Sequence, residues 1–288
     1  MRVGTVLSAV VLVLAAGTAR AGLSIQPAFV EVSLDKGRPS GQFEIANTGD
    51  TVERYRIRAM HFRFSKTGGL QRLEADKRSL AQWIKFNPAE LTIAPKTRRI
   101  VRFVIIPRGR LEAGEYWGAM ELESLQTQTG KTKDAEGHTM EVEVVSSLLV
   151  PIFGTFGEVR REGTLDSVTL RHDPKQGAII ETHLTNHGTG RLLVEGSYEL
   201  TNAAGNVVDQ GKIGYAYVLA GAERLFSKPV SVPLPKGEYQ VAVTYQSPQL
   251  DKALVERATL TLTEAVTPPP ADTKRTSAGG SRPTGPES

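Results

Sequence analysis

The sequence predicts an all-β protein made of two tandem immunoglobulin-like β-sandwiches. Short segments with alternating apolar and polar residues recur along the chain, and clusters of turn residues separate them. The pattern of the first half is repeated in the second half. The 288 residues suffice for two domains of ordinary size, and a hydrophobic content of 40% is enough to form their cores.

The N-terminus has the pattern of a secretory signal. Arg2 is followed by an apolar run from Val3 to Ala16 and by a small-x-small cleavage site at residues 19–21. We therefore expect residues 1–21 to be removed and the mature chain to begin at Gly22. No later stretch has the roughly 20 apolar residues that a membrane span needs, and the chain has no cysteine for a lipid anchor or a disulfide. The expected location is the periplasm, with the extracellular surface as second choice.

Two pairs of segments indicate that both halves share one topology. Residues Phe43–Gly49 and Ala178–Gly188 each form an alternating strand that ends in an Asn-x-Gly turn. Residues Glu112–Met120 and Pro235–Val243 each place Gly-Glu-Tyr at the start of a strand. The match is loose, so it favours a common fold over a recent duplication.

Domain boundaries follow from this repeat and from a change in composition. We expect a first sandwich over residues 22–153 and a second over 154–265. Residues 266–288 are rich in Pro, Thr, Ser and Gly. Such a segment cannot bury enough apolar surface to order itself, and it is predicted to be a disordered tail.

The segment Thr139–Phe153 at the junction is predicted to be one long strand. Met140, Val142 and Val144 fall on one face, because side chains alternate along a strand, and two glutamates fall on the other. From Val145 onward the segment is almost entirely apolar. Such a strand is either ordinary core or an edge that captures a strand from another protein.

Arg54, Arg56 and Arg58 share one face of another predicted strand. An arginine row on a sheet is usually a solvated surface with cross-strand partners. A basic binding patch is the alternative.

Charge is divided unevenly between the two halves. Residues 22–125 contain 17 basic and 12 acidic side chains, a net charge of +5. Residues 126–265 contain 13 basic and 17 acidic side chains, a net charge of −4. This asymmetry suits either docking between domains or steering of an acidic partner, and two unevenly charged solvated surfaces are the simpler interpretation. Nucleic-acid binding is not expected, because the arginines belong to no recognised motif and the chain is exported.

The sequence offers no recognisable catalytic chemistry. His183 and His187 lie on an extended segment and a turn, so they would be about 13 Å apart, too far to share one metal ion. There is no cysteine, no Gly-x-Ser-x-Gly elbow and no phosphate-binding loop. The chain is therefore predicted to be a non-enzymatic binding protein without a cofactor or a metal site.

Several segments resemble the PapD-like periplasmic chaperones of the chaperone–usher pathway. Asn87–Lys96, followed by the arginine-rich strand Arg98–Val104, is similar to the family's proline- and leucine-containing segment. Gly114–Gly118 looks like the start of the penultimate strand of the first domain, and Gln42–Asn47 like an early strand ending in Asn. Met140–Val150, after a polar loop, is similar to the strand with which these chaperones contact a pilus subunit.

The resemblance covers about Leu23–Phe153 and implies donor-strand complementation. In that mechanism the chaperone adds an edge strand to a fibre subunit that lacks its last strand, and alternate side chains fill the subunit's groove. The implied partners are a fibre subunit and an outer-membrane usher. The residues that would enter the groove are Met140, Val142, Val144, Ser146 and Leu148.

The chain departs from the family at its carboxylate anchor. The family binds the subunit's terminal carboxylate with an Arg in the first strand and a Lys in the subunit-contacting strand. Here Ser24–Phe29 and Val145–Leu148 offer no base. Either another basic residue substitutes, with Arg54–Arg58 as the nearest row, or no carboxylate is bound.

Two functions are therefore open from the sequence. The first is a chaperone that binds fibre subunits through an edge strand. The alternative is a structural or adhesive envelope protein whose tandem domains bind another surface component. In the alternative, Met140–Val144 would be ordinary core.

Overall fold

The computed structural model describes residues 22–126, 128–133, 139–173 and 176–268, and for residues 128–133 and 139–144 it describes the backbone. The predicted signal peptide and most of the predicted tail over residues 266–288 lie outside the described residues. The expectation of disorder from residue 266 is wrong at its start, because Val266 is buried and exchanges two backbone hydrogen bonds with Leu234. Every regular element described is a strand. No helix within these ranges is long and apolar enough to cross a membrane.

The chain up to the junction forms twelve strands. They are β1 Leu23–Gln26, β2 Val30–Ser33, β3 Ser40–Asn47, β4 Glu53–Phe64, β5 Leu70–Leu73, β6 Ile84–Asn87, β7 Glu90–Ile93, β8 Arg98–Ile105, β9 Gly114–Ser124, β10 Gln128–Lys133, β11 Thr139–Val144 and β12 Ser147–Phe156. Seven more follow: β13 Gly163–Asp173, β14 Gly177–Asn186, β15 Leu192–Asn202, β16 Val207–Val218, β17 Glu223–Pro229, β18 Gly237–Gln246 and β19 Leu254–Leu262.

The first sandwich packs two sheets around one core. One sheet has the order β1-β3-β8-β6, and the other has the order β2-β12-β9-β4-β5, with β7 also paired to β4. Alternating residues of both sheets are fully buried between them, among them Phe43, Ile45, Val101, Leu122 and Ile152. Because inward and outward residues alternate along each strand, these positions follow directly from the period-2 pattern in the sequence.

The first predicted strand divides at Pro27 and its halves join different sheets. β1 pairs with β3, a cis peptide bond precedes Pro27, and β2 then pairs in parallel with β12. Proline has no N–H group to donate to a sheet, so it fits a break between strands better than a strand interior. As a result, β2 lies beside the junction strand.

The second sandwich repeats the architecture with sheets β13-β14-β17 and β16-β15-β18-β19. Its core is a separate cluster that includes Leu184, Leu200, Val241 and Tyr245. The prediction of an all-β protein with two immunoglobulin-like sandwiches is confirmed. The last strand of the first sandwich ends at Phe156, three residues beyond the expected division at 153.

One buried asparagine closes the Asn-x-Gly turn in each sandwich. The Asn47 side chain donates to the carbonyls of Thr51 and Ile93 at 2.7 and 3.1 Å and accepts from the Gly49 N–H at 2.9 Å. In the second sandwich, the Asn186 side chain donates to Gly190 and Val218 carbonyls at 2.9 and 2.8 Å and accepts from the Gly188 N–H at 2.9 Å. The loose sequence repeat thus corresponds to a shared set of hydrogen bonds.

Asn186→Ala is expected to lower the free energy of unfolding by about 3 kcal/mol, because it leaves two carbonyls and one N–H without partners in a buried site. Urea denaturation measures the change. Asn202→Ala is the control, since Asn202 accepts two backbone N–H groups in an exposed turn where water can replace it. Equal losses in the two variants would contradict the prediction.

Candidate functional site

The candidate site is a hairpin that continues the last pair of strands of the first sandwich. β9 and β12 pair antiparallel up to Glu123 and Ser147. The same two chain segments then pair again as β10 and β11, starting at Gln128 and Val144. The prediction of one unbroken strand over Thr139–Phe153 is therefore wrong, because residues 145–146 separate β11 from β12.

The two pairs separate because the chain after β9 stays attached to β4. The Leu125 N–H donates to the Arg54 carbonyl at 2.9 Å, and the Gln126 side-chain amide donates to the Val52 carbonyl at 2.8 Å. The Ser124 N–H still donates to the Ser146 carbonyl at 2.9 Å. The ladder of β9 and β12 thus ends at the pair Glu123–Ser147, and the ladder of β10 and β11 begins at the pair Gln128–Val144. The pairing is interrupted between them as it is at a bulge.

Among the described residues, the edge formed by β11 and the start of β12 has no strand beside it, and the outer edge of β10 has none either. β9 pairs with β12 over its whole length, and β10 pairs with β11 over its whole length. On the opposite edge β2 covers only Ile152–Thr155. No other strand of the described ranges pairs with that edge along Thr139–Val144 and Ser147–Pro151, which we call the open rim.

Of the five residues predicted to enter a partner's groove, four lie on the strands of the open rim and Ser146 lies in the interruption between them. Met140, Val142 and Val144 alternate along β11, opposite Thr132, Gly130 and Gln128 of β10. Leu148 lies on β12 and is 39% exposed, although its neighbours Val150 and Ile152 are fully buried. The assignment of these five residues to partner binding stays a prediction.

No feature of the sequence distinguishes Val145 from the rest of the apolar segment, but its environment in the structure is different. Val145 lies in the interruption and is 51% exposed. Leu149, on the other face of β12, packs instead against the cluster between the two sandwiches. The apolar residues of this segment therefore lie in three different environments: the core of the first sandwich, the contact between the sandwiches, and solvent.

The arginine row lies on β4, two strands away from β12 in the same sheet. Arg56 forms an ion pair with Glu90 at 2.9 Å, and Arg58 with Glu123 at 3.3 Å, while Arg54 is exposed. Two of the three arginines thus have the cross-strand partners expected of a solvated sheet surface. The alternative of a basic binding patch at these positions stays a prediction.

An apolar cluster joins the two sandwiches behind the junction strand. Met60, Phe62, Trp117 and Phe153 of the first sandwich surround Leu219, which follows β16. The Trp117 ring N–H donates to the Phe62 carbonyl at 2.8 Å, which also fixes the indole to β4. β12 is consequently covered on both faces near Phe153, as its apolar sequence predicted.

A buried ion pair lies beside this cluster and was missed in the sequence. Arg191, which precedes β15, contacts Glu115 of β9 and Glu31 of β2, and its guanidinium lies 3.7 Å from the centre of the Phe153 ring. The Arg191 N–H also donates to Glu115 at 2.8 Å. Glu115 is completely buried. No sequence motif marks these residues, because the contact joins chain positions 76 residues apart.

Burial changes the proton affinity of both partners. It lowers the pKa of Arg191 to about 10, which still leaves the guanidinium charged at neutral pH. It raises the pKa of Glu115, while the Arg191 N–H and the charge of Arg161 act in the opposite direction. The pair therefore depends on its own hydrogen bonds for compensation of the desolvation cost.

The same residues line a cavity of about 230 Å³ between the sandwiches, together with Ser33, Phe153 and Thr155. The cations at this cavity, Arg161 and Arg191, belong to the second sandwich, and β2 contributes Glu31, Val32 and Ser33. Whether any basic residue binds a subunit's carboxylate stays a prediction.

A second polar contact between the sandwiches involves the turn between β4 and β5. Lys66 lies 2.7 Å from Glu223 of β17, and its carbonyl accepts from the Leu225 N–H at 2.7 Å. The same Glu223 oxygen is 2.9 Å from His183 Nε2, and His187 contacts Thr164 at 3.0 Å. The two histidines thus have separate partners, and the described residues contain no cluster of three or more side chains suited to a metal ion.

The stability that Glu223 contributes should depend on pH. Hydrogen bonds from Lys66 and His183 lower the pKa of Glu223 below its ordinary 4.5. A carboxylate with a lowered pKa in the folded state contributes stability above its unfolded pKa and loses it as the pH falls through the folded value. The difference in melting temperature between wild type and Glu223→Gln should therefore be largest near pH 6 and should shrink below about pH 4. An equal difference at pH 6 and pH 3 would contradict this.

Comparisons with known proteins found similarity at the level of structure. No family model and no curated protein matches the sequence. The chaperone–tip adhesion subunit complex of the archaic chaperone–usher Csu pili of Acinetobacter baumannii matches at 14% identity and a TM-score of 0.46, over 84% of this chain and 99% of the other. The Pseudomonas aeruginosa CupB2 chaperone matches at 10% identity and a TM-score of 0.41, over 82% of this chain and 100% of the other. The E. coli chaperone DraB matches at 12% identity and a TM-score of 0.38, over 81% of this chain and 97% of the other.

The matched proteins include chaperones and a PapD-like domain of human CEP192. The Csu complex and several further matches are described as parts of fimbrial or pilus assembly systems.

Proposed function

We propose that this protein is a periplasmic chaperone of surface-fibre assembly, and that it binds fibre subunits by donor-strand complementation through the open rim. The single observation that supports the proposal best is the edge of β11 and β12 that lacks a strand partner within the described residues. A partner strand can satisfy its own unpaired backbone groups on such an edge. The outer-membrane usher is the proposed second partner.

The side-chain pattern supports the same role. Met140, Val142 and Val144 occupy every second position of β11, and in a strand such positions share one face. Each large aliphatic side chain that a subunit's groove buries would contribute roughly 1.5–3 kcal/mol to binding. Backbone hydrogen bonds would add affinity that depends little on the subunit's sequence, while the alternate side chains would provide specificity.

The contact between sandwiches supports the role in a different way. β12 pairs with β9 and β2 and packs against the cluster around Leu219. The strand from which the hairpin extends is therefore held in place by its neighbours. A binding edge that is already ordered loses less conformational entropy when the partner arrives. The terminal carboxylate of a subunit would not meet a free base on β2, since Glu31 occupies that side of the cavity.

Hydrogen exchange tests the proposal. The protein is mixed with a purified fibre subunit that lacks its last strand, and the exchange of backbone amides is followed by mass spectrometry. We expect a complex in which amides of residues 139–151 gain protection, while those of Leu254–Leu262, another sheet edge, do not change. Full protection of residues 139–151 without any subunit would instead favour the structural or adhesive envelope protein.

A further inference from the structure

The end of the first sandwich that lies away from the open rim carries five exposed cations. They are Arg38, Lys85, Arg102, Arg108 and Arg110, which we call the basic end. None of the five has a carboxylate within ion-pair distance among the residues that the structure describes.

The sheet topology explains why three separate segments meet there. β8 lies between β3 and β6, and its Val104 is opposite both Ser40 and Lys85. Arg102 is two residues from Val104, so it shares the outward face with Lys85 on the neighbouring strand.

The loops complete the cluster. The Ile105 N–H donates to the Pro39 carbonyl at 2.8 Å, which brings Arg38 beside the end of β8. Arg108 and Arg110 follow directly in the loop that leads from β8 to β9. Backbone hydrogen bonds of the sheet thus position Lys85 and Arg102, and the bond from Ile105 to Pro39 positions Arg38.

Several cations elsewhere on this sandwich are paired with carboxylates instead. Lys96 lies 2.9 Å from Asp50, and Arg98 lies 3.3 Å from Glu44. Arg56 and Arg58 pair with glutamates as described above. Three exposed cations outside the basic end also form no ion pair with a described residue, so the basic end is distinguished by the clustering of its five cations; the three are Lys36, Arg54 and Arg99.

We propose that the basic end is a docking surface for an acidic protein, separate from the open rim. Four of its five cations are arginines, whose planar guanidinium matches a carboxylate with two parallel hydrogen bonds. The partly exposed Ile100 lies two residues before Arg102 on β8, and Pro107 directly precedes Arg108. Arginine together with apolar residues is the composition of protein interfaces. Of the exposed large apolar residues, only Ile100 is on this surface, which offers little for insertion into a lipid layer.

The surface lies at the end of the sandwich where β12 finishes, while the open rim lies where β12 begins. A subunit on the hairpin and an acidic protein on the basic end could therefore be bound together. This inference does not rest on the proposed chaperone role.

The test compares two variants of the full-length protein that lose the same charge. The first is Arg38→Gln, Arg102→Gln, Arg108→Gln and Arg110→Gln. The control is Arg56→Gln, Arg63→Gln, Lys96→Gln and Arg98→Gln, whose cations already have carboxylate partners. The probe is fluorescent poly-L-glutamate, and its association rate is measured by stopped flow at low and high salt.

We expect the first variant to associate about tenfold more slowly at low salt and to lose most of the salt dependence, because charges on a docking surface act mainly on the association rate. The control should stay close to wild type. Equal slowing in both variants would overturn the proposal, since net charge alone would then explain binding. Tighter binding of wild type to phosphatidylglycerol vesicles than to poly-L-glutamate, lost in the first variant, would also overturn it in favour of a membrane surface.

Discussion

Arg191→Met is expected to lower the free energy of unfolding by about 3–5 kcal/mol, the usual cost of removing one partner of a buried ion pair. Methionine keeps most of the apolar contact with the Phe153 ring, so the loss should report the charge and not the packing. Glu115, which is fully buried, would keep only the more distant Arg161 as a compensating charge. Urea denaturation measures the change.

Two further variants separate this explanation from a general effect of arginine loss. Arg171→Met removes an arginine from two exposed ion pairs, with Asp173 and Glu181, and should change stability little. The double variant Arg191→Met with Glu115→Gln should recover part of the loss, because the buried carboxylate is then gone as well. No recovery in the double variant would show that the ion pair is not the cause.

Val142→Glu combined with Val144→Glu is expected to weaken binding of a fibre subunit at least about 100-fold, because two aliphatic contacts of roughly 1.5–3 kcal/mol each are lost and two charges would have to be buried. The variant should nevertheless melt close to the wild-type temperature. Both valines lie on the β10–β11 hairpin, whose strands form a sheet of their own apart from the sheets of the first sandwich. Affinity is measured by isothermal titration with a purified subunit.

Val207→Glu combined with Val255→Glu is the matched control, since both valines are half exposed on the second sandwich. It should bind the subunit as wild type does. If the hairpin variant unfolds the protein, Met140–Val144 belong to a core and the structural or adhesive role gains support. If it folds and binds normally, the open rim is not the binding edge.

Local pattern was sufficient to predict the sandwiches. Alternation at Phe43 and Ile45 and the turn at Asn47 depend on neighbours in the chain, and the structure places these residues as expected. The break between β1 and β2 at Pro27 is local in the same sense, because proline lacks the N–H group that a strand interior needs. Elements of this kind need no knowledge of distant partners.

The site itself could be predicted only in part. Alternation located Met140, Val142 and Val144 on one face of β11, but the interruption at residues 145–146 depends on hydrogen bonds from Leu125 and Gln126 to β4. The Arg191–Glu115 pair could not be found, because neither residue carries a local signal and the contact forms only when the sandwiches meet. Long-range pairing of single residues is not encoded in periodicity.

The position of β2 limits how an added strand can align. β2 occupies the edge of β12 from Ile152 onward, so an incoming segment that slides along β12 must stop near Pro151. If the proposed function holds, a one-residue slip of the added strand would turn every inserted side chain to the wrong face, and the stop at β2 would exclude slips toward the end of β12. The break of the chain at Pro27, which places β2 beside β12, would thus limit the register of the added strand.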